Sequence, residues 1–239
     1  MKLNDLVKLY EKLKERHETD AYKHISQLLR DAKEIHKKDF MQSTTAKRAK
    51  KEGRAPDHEQ SWRAFKGKNL EKLIMYIIKD EVESLGLKIF EGNTLERTNS
   101  TNLSKELSLV KRNLSVDYGE FGLHLPDVDL IIYEPSTCKV IAVISSKVTL
   151  RERIAQTGYW KFKLAGDEVT RHIKVFFITP AEDRTLTTRM PAKKGRAIVE
   201  KDTDGGYVMS EEPVEESNRV KMFDKFIDDL KNLLNSSRD

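Results

Sequence analysis

Two short apolar runs constrain the fold of this chain more strongly than any other feature. They span residues 130–133 and 140–144, are rich in β-branched side chains, and bracket the turn-like stretch 134–137. This pattern predicts two buried strands joined as an antiparallel hairpin. In such a pair the start of one strand lies beside the end of the next. Residues just before 130 and just after 144 should therefore meet at one edge of a sheet.

Acids and a lysine flank the predicted hairpin at that edge. Asp127 and Asp129 precede the first run, and Lys147 follows the second. Side chains alternate along a strand, so the two aspartates share one face, and Ser145 shares a face with Lys147. Carboxylates there can hold a divalent cation, and the lysine can orient a water or balance the charge of a phosphate. The alternative is a surface hairpin whose polar ends are simply solvated.

The same stretch resembles the signature of the PD-(D/E)xK nucleases. The resemblance is carried by Pro126-Asp127, the apolar hairpin and Ser145-Ser146-Lys147, with Ser145 where that motif usually has an acid. The continuation from Lys147 to Arg153 is more specific. It resembles the Lys-x-x-x-(Arg/Lys)-(Asp/Glu)-Arg block of type II restriction endonucleases that read CCGG-like sites, the group that includes BsaWI, NgoMIV and EcoRII.

This resemblance implies a fold and an activity. The expected fold is an α/β core, a mixed β-sheet flanked by helices, preceded by a helical N-terminal region. The expected activity is Mg²⁺-dependent cleavage of double-stranded DNA at a palindromic CCGG-like site by a type II site-specific deoxyribonuclease. A homodimer or higher homo-oligomer and a companion DNA methyltransferase are implied as partners. The alternatives are a repair or recombination nuclease with the same core that reads DNA structure, and a non-catalytic DNA-binding protein.

A predicted helix over residues 149–164 carries the candidate recognition residues. Arg151, Arg153 and Gln156 project from its first turns. Arginine pairs with guanine O6 and N7, and an acid accepts from cytosine N4. In the family this block reads the CCGG core, which maps onto Arg151, Glu152 and Arg153. The alternative is a salt-bridged helix face.

The motif leaves the choice of metal-binding aspartate open. Asp127 follows the proline, as the family name implies. If Asp127 were the ligand, Asp129 would lie further in along the same face and would need its own partner. If Asp129 is the ligand, Asp127 lies nearer to solvent at little cost. This argument slightly favours Asp129, and both stay candidates.

A third carboxylate is harder to assign. The CCGG-type enzymes resemble one another in an acid thirteen or fourteen residues after the lysine, where this chain has Trp160 and Lys161. The third ligand must then come from one of three acids further away in the sequence, which are Glu71, Asp167 and Glu168.

Glu71 lies on the apolar face of a helix predicted from about residue 57 to Leu85, with Gly86 as its stop. Acids are rarely buried without a partner, so Glu71 is either a rim residue paired with Lys68 or a carboxylate that faces the active site. The stretch from Gly67 to Glu71 resembles the N-terminal helix that supplies such a glutamate in PD-(D/E)xK nucleases.

The first 56 residues predict a separate helical, basic region, and residues 57–239 the catalytic domain. Apolar positions recur at helical spacing over residues 3–40. Eight lysines and arginines follow between Lys33 and Arg54 with few apolar residues. Such a run is either a solvated linker or a segment that tracks DNA phosphates.

The remaining predicted elements fill the second half of the chain. Residues 93–104 are polar and predict a loop, and residues 107–114 a helix. Residues 173–179 predict a strand parallel to the lysine strand, with the helix before it as the crossover. The polar, basic loop over residues 181–196 is a candidate DNA contact. Asp204-Gly205-Gly206 predicts a hairpin turn, and residues 220–234 a closing amphipathic helix.

Composition excludes several other classes of protein. Lysine and arginine number 44 against 39 acids, so the net charge is +5, which is compatible with nucleic acid without requiring it. A lone cysteine, Cys138, excludes an intramolecular disulfide and a multi-cysteine zinc site. The six histidines lack ligand spacing, and a phosphate-binding Gly-Lys-Ser/Thr loop is missing. The sequence also lacks a signal peptide or a membrane-length apolar run, so a cytoplasmic protein is expected.

Overall fold

A computed structural model describes residues 1–149 and 153–236, apart from the side chain of Arg153. The helices in this part of the chain are α1 (Leu3–His17), α2 (Ile25–Gln42), α3 (Thr44–Lys51), α4 (His58–Ser84), α5 (Gly92–Arg97), α6 (Lys105–Leu114), α7 (Arg153–Ala165), α8 (Lys194–Asp202) and α9 (Phe226–Ser236). The strands are β1 (Lys88–Glu91), β2 (Val116–Asp117), β3 (Leu123–His124), β4 (Leu130–Glu134), β5 (Lys139–Ser146), β6 (Lys174–Thr179), β7 (Gly205–Val208) and β8 (Val220–Met222).

The centre of the fold is a six-stranded mixed sheet with the order β1-β4-β5-β6-β7-β8. Strands β4 and β5 form the predicted antiparallel hairpin, with Leu130 opposite Ile144. The sheet changes direction at the next pair, because β6 is parallel to β5 and is reached through α7, as predicted. The predicted α/β fold with a mixed, helix-flanked sheet is therefore confirmed.

Apolar side chains alternate between the two faces of the sheet and bury each face under helices. Leu130 and Ile132 join a core with α1, α2, α4 and α9. Ile131 and Val143 point to the other face and pack with α5, α6 and α7. A third cluster, around Phe177, joins the start of α7 to α8. The hairpin is thus buried on both sides, and only its ends reach solvent.

The basic N-terminal region is helical, and its helices pack on the sheet domain. Leu6 and Tyr10 of α1 and Ile25 of α2 belong to the same buried cluster as α4 and α9. Ser43 caps α3, so residues that suggested a solvated linker form a short helix. The division at residue 56 falls in the break between α3 and α4 and stays a prediction. Within the described residues, none of the helices combines the length and the apolar character that a membrane crossing needs.

Three predicted elements were wrong. Residues 93–104 contain α5 and a short 3-10 helix rather than a loop. The residues before Asp204 form α8, and Gly205 and Gly206 lie inside β7, parallel to β6, instead of forming a hairpin turn. A Cβ on Gly206 would lie 2.7 Å from a methyl carbon of Val199, so this glycine serves the close packing of α8 on the sheet. The predicted closing helix begins with strand β8, followed by a short 3-10 helix (Phe223–Lys225), and its α-helical part starts only at Phe226.

Glycine also has a packing role within α7. A Cβ on Gly158 would approach the Cβ of Asp202 in α8 to 3.0 Å. Glycine lowers the helical propensity of α7, but the missing side chain of Gly158 allows α8 to lie close beside α7. This contact fixes the position of the helix that follows Lys147.

Candidate active site

Asp129 is the buried acid of the hairpin edge. It directly precedes β4, and only 4% of its surface is exposed. Its backbone N–H donates to the carbonyl of Ile144 at 3.0 Å, and its Oδ2 accepts the backbone N–H of Ser146 at 2.5 Å. The register of the hairpin thus fixes this carboxylate beside the end of β5, where the predicted lysine follows.

Lys147 lies between two carboxylates that come from distant parts of the chain. Its Nζ is 2.7 and 2.8 Å from the oxygens of Asp129 and 3.4 Å from Oε1 of Glu71 on α4. The amide of Asn93, in α5, donates to the other oxygen of Glu71 at 3.4 Å. Among the described contacts, Glu71 therefore pairs with Lys147 rather than with Lys68. The structure brings Glu71, Asp129 and Lys147 together, as the active-site interpretation of Glu71 predicts.

The environment raises the pKa of Glu71 to about 7. Burial is the main cause, followed by the charge of Asp129 and a hydrogen bond with it, while Lys147 acts in the opposite direction. The carboxylates of Glu71 and Asp129 repel each other and share the ammonium group of Lys147. Their oxygens are hard donors that suit a divalent cation. The described residues contain no group of three or more Asp, Glu, His or Cys side chains close enough to hold a metal ion. Two protein carboxylates still fit Mg²⁺, which commonly binds through one or two of them together with substrate phosphates.

Asp127 has a different partner from Asp129. It is exposed, and its Oδ2 accepts a hydrogen bond from Nε2 of Gln156 at 2.9 Å. Asp127, Gln156 and Lys147 line a small hollow beside the carboxylate pair. The two candidate aspartates therefore lie at the same edge of the sheet, but their side chains have different hydrogen-bond partners.

Of the four predicted recognition residues, Gln156 is fully described, and the other three lie wholly or partly outside the described residues. Arg151 and Glu152 fall outside the described residues. Arg153 begins α7, and its side chain is also outside them. Gln156 stands in the first turn of α7, close to the end of β5.

Two acids considered as third ligands lie far from Lys147. Asp167 and Glu168 follow the C-terminal end of α7, which crosses from the end of β5 to the start of β6. They are therefore at the opposite edge of the sheet. At that edge Lys161 pairs with Asp204 at 2.6 Å. Glu71 is the acid that reaches the site.

A groove of about 1580 Å³ opens over Glu71 and Lys147. Its walls come from α4, α5, the start of α7 and the segment that leads into α8. Three acids line it, Glu71, Glu91 and Asp183, against the eight basic residues Arg63, Lys66, Lys68, Lys72, Arg97, Lys147, Lys193 and Lys194. The excess of positive charge suits a polyanion.

Sequence reasoning identified only part of this basic lining. Lys193 and Lys194 belong to the loop that was a candidate DNA contact, but the basic face of α4 and Arg97 of α5 were missed. A signal was present, since Arg63, Lys66 and Lys68 precede Glu71 on the same predicted helix. The apolar pattern of that helix indicated core packing, and its basic residues were not interpreted as DNA contacts.

Replacing Gly92 with alanine is expected to destabilise the protein by about 1–3 kcal/mol, the usual effect of overpacking. The N–H of Gly92 donates to the carbonyl of Asp129 at 2.9 Å, and a Cβ would lie 2.0 Å from the carbonyl oxygen of Val128. The backbone before β4 would have to shift. Urea unfolding measures the effect.

Gly67→Ala is the matched control, because nothing lies within 4 Å of the added Cβ in α4. It is expected to stabilise the helix by about 0.5–1 kcal/mol. Equal unfolding midpoints for Gly92→Ala and the wild type would contradict the tight contact with Val128.

Comparison with known proteins agrees with the fold. The family model for BsaWI restriction endonuclease type 2 matches residues 106–229. The putative type II restriction enzyme MjaVIP of Methanocaldococcus jannaschii is 36% identical over 212 residues, which cover 87% of this chain and 92% of that protein. The probable type II restriction enzyme HpyAORF263P of Helicobacter pylori is 38% identical over 121 residues, 51% of this chain and 61% of that protein.

Two solved structures are similar to this chain to different degrees. The restriction endonuclease PspGI in complex with substrate DNA superposes with a TM-score of 0.56 at 15% identity, over 99% of this chain and 96% of that one. The pre-specific restriction endonuclease BsaWI in complex with DNA gives 0.45 at 16% identity, over 98% and 91%.

The fold is that of the restriction endonucleases of the PD-(D/E)xK type. The family match and the relative from M. jannaschii are more specific. The chain belongs to the BsaWI type II restriction endonuclease family, whose members are site-specific nucleases. Restriction endonucleases of this kind generally need a divalent metal.

Proposed function

We propose that this protein is a Mg²⁺-dependent type II restriction endonuclease that cleaves both strands of a palindromic CCGG-like site in double-stranded DNA. The observation that carries the proposal is the contact of Lys147 with both Asp129 and Glu71 beneath a basic groove. A lysine beside two carboxylates, open to a polyanion, has the components needed for hydrolysis of a phosphodiester.

The proposed roles follow from the contacts of each side chain. Asp129 and Glu71 would hold Mg²⁺, and Asp127 was the competing ligand candidate. When bound, the ion supplies positive charge against the scissile phosphate and the departing 3′ oxygen. Lys147, anchored by Asp129, orients the attacking water toward the phosphorus. The basic residues of the groove hold the flanking phosphates, which positions the phosphodiester without reading its sequence.

Recognition is proposed for the segment between β5 and α7. Arg151, Glu152 and Arg153 follow Lys147 within six residues of the sequence. Two arginines and an acid provide the donors and the acceptor that G·C pairs require in the major groove. Together with Gln156, they form the proposed recognition set for a CCGG-like site.

The proposed assembly is a homodimer or a higher homo-oligomer. Each chain has a single proposed catalytic centre, and a palindrome presents two symmetry-related phosphodiesters. Two copies related by the twofold axis of the site would cut both strands. We propose a cytoplasmic location and a companion DNA methyltransferase, because host DNA carrying the same site needs protection from this activity.

Incubation with plasmid DNA and Mg²⁺ is expected to yield discrete fragments, and EDTA is expected to prevent their formation. Agarose gels show the fragments, and sequencing of their ends gives the site and the overhang. Binding should weaken steeply with salt, since several groove lysines contact phosphates. Nicked or smeared products would favour a repair nuclease, and intact DNA at every salt concentration would leave a DNA-binding protein.

A further inference from the structure

We infer that Asp127 is a positioning residue for base recognition: it holds the amide of Gln156 in one orientation and does not bind the metal. This inference rests on the proposed function and specifies how one part of the recognition set works. It also separates two aspartates that the sequence motif leaves equivalent.

The two aspartates differ in every described contact. Asp129 is buried and bound to Lys147 and to the backbone N–H of Ser146. Asp127 is exposed and faces α7, where its Oδ2 lies 2.9 Å from Nε2 of Gln156. A ligand that shares an ion with Asp129 and Glu71 would have to face Lys147. The carboxylate of Asp127 lines the same small hollow as Lys147, but its described hydrogen bond is to Gln156 on the proposed recognition helix.

The chemistry of the pair fixes which end of the amide faces Asp127. An ionised carboxylate only accepts hydrogen bonds, so the group of Gln156 that contacts Asp127 must be its NH₂. One N–H is then committed to Asp127. Among the contacts of the described residues, the second N–H and Oε1 are left for a base edge.

That remaining pair of one donor and one acceptor is selective. Adenine presents an acceptor at N7 and a donor at N6 in the major groove, which match the two free groups of Gln156. Guanine presents two acceptors there and leaves Oε1 without a donor. Without Asp127, the amide can rotate and exchange its two ends, and this selectivity falls. We therefore expect Gln156 to read an A·T pair that flanks the CCGG-like core.

The test measures sequence preference and metal dependence in the same set of variants. The variants are Asp127→Asn, Asp127→Ala, Gln156→Ala and the double alanine variant. Substrates are duplexes with the site mapped for the wild type, and duplexes in which each pair of the site and its neighbours is changed in turn. Cleavage rates give the preference, and Mg²⁺ titration gives the half-saturating metal concentration.

Each alanine variant is expected to lose about tenfold in preference at one A·T position, and the double variant no more than either single one. Asp127→Asn is expected to retain the preference, because its amide oxygen still accepts from Gln156. The half-saturating Mg²⁺ concentration should stay within twofold of the wild type in all variants. A role limited to folding would move the unfolding midpoint but not a preference at a single base pair.

Two results would overturn the inference. A tenfold or larger rise in half-saturating Mg²⁺ in Asp127→Asn would assign Asp127 to the metal site. An unchanged preference in Asp127→Ala would remove its positioning role. Both differ from a failure of the proposed function, in which the wild type itself gives no discrete fragments and the inference falls with it.

Discussion

Lys147→Ala is expected to lower the rate of DNA cleavage by about 10²–10⁴-fold while DNA binding without metal stays near the wild-type level. Lys147 is the one basic side chain in the described part of the chain that contacts both Asp129 and Glu71. Its removal leaves the two carboxylates without the ammonium group that is proposed to orient the water. Single-turnover cleavage of a duplex containing the mapped site measures the rate, and a gel-shift assay in EDTA measures binding.

The matched control is Lys79→Ala. Lys79 lies on α4, its side chain is 52% exposed, and its ion pair within the described residues is with Glu83 of the same helix. This variant should cleave at the wild-type rate. Retention of more than a tenth of the rate in Lys147→Ala would show that another group orients the water.

Asp129→Asn is expected to reduce cleavage by about a thousandfold, which corresponds to about 4 kcal/mol in the barrier. Asparagine keeps the volume and can still accept the N–H of Ser146, so the hairpin should fold. The lost negative charge removes one of two proposed Mg²⁺ ligands. Cleavage rates and calorimetric titration with Mg²⁺ measure the two effects, and the affinity for Mg²⁺ should fall with the rate.

Asp80→Asn serves as the control, because Asp80 is exposed on α4. It should change neither the rate nor the affinity for Mg²⁺. If Asp129→Asn binds Mg²⁺ like the wild type, the ion is held by other residues and the proposed site is wrong.

The hairpin and its polar edge could be predicted from sequence because both depend on short-range patterns. Apolar β-branched runs and a turn set the register of β4 and β5, and the register places Asp129 beside Lys147. The preference for Asp129 also followed from burial, since the inner acid of the pair needed a partner. Its metal-binding role stays a prediction.

The contact of Glu71 with the site could not be derived in the same way. Glu71 and Lys147 are 76 positions apart in the sequence, and their meeting depends on how α4 packs across the sheet. The local pattern allowed a pair with Lys68 equally well. Only the resemblance to the nuclease family favoured the active-site position.

The errors near the C-terminus have a common physical origin. Gly205 and Gly206 are typical of a hairpin turn, yet both lie in β7, and the missing side chain of Gly206 allows α8 to approach the sheet. The apolar residues from 220 onward have helical spacing, but pairing with β7 is favoured for the first three. In both places, long-range packing determined the structure in spite of the local signal.

The shared core of the first and last helices has a consequence for synthesis of the enzyme. Leu6 and Tyr10 of α1 pack in one cluster with Phe226 and Leu230 of α9. During translation α1, α2 and α4 emerge first, but the part of this cluster that α9 contributes follows only after residue 220 has been made. The helices that form the walls of the groove pack on the same sheet. A growing chain therefore lacks a complete core beneath the groove until α9 has been made, and we expect the ability to cut DNA to arise only after α9 has packed.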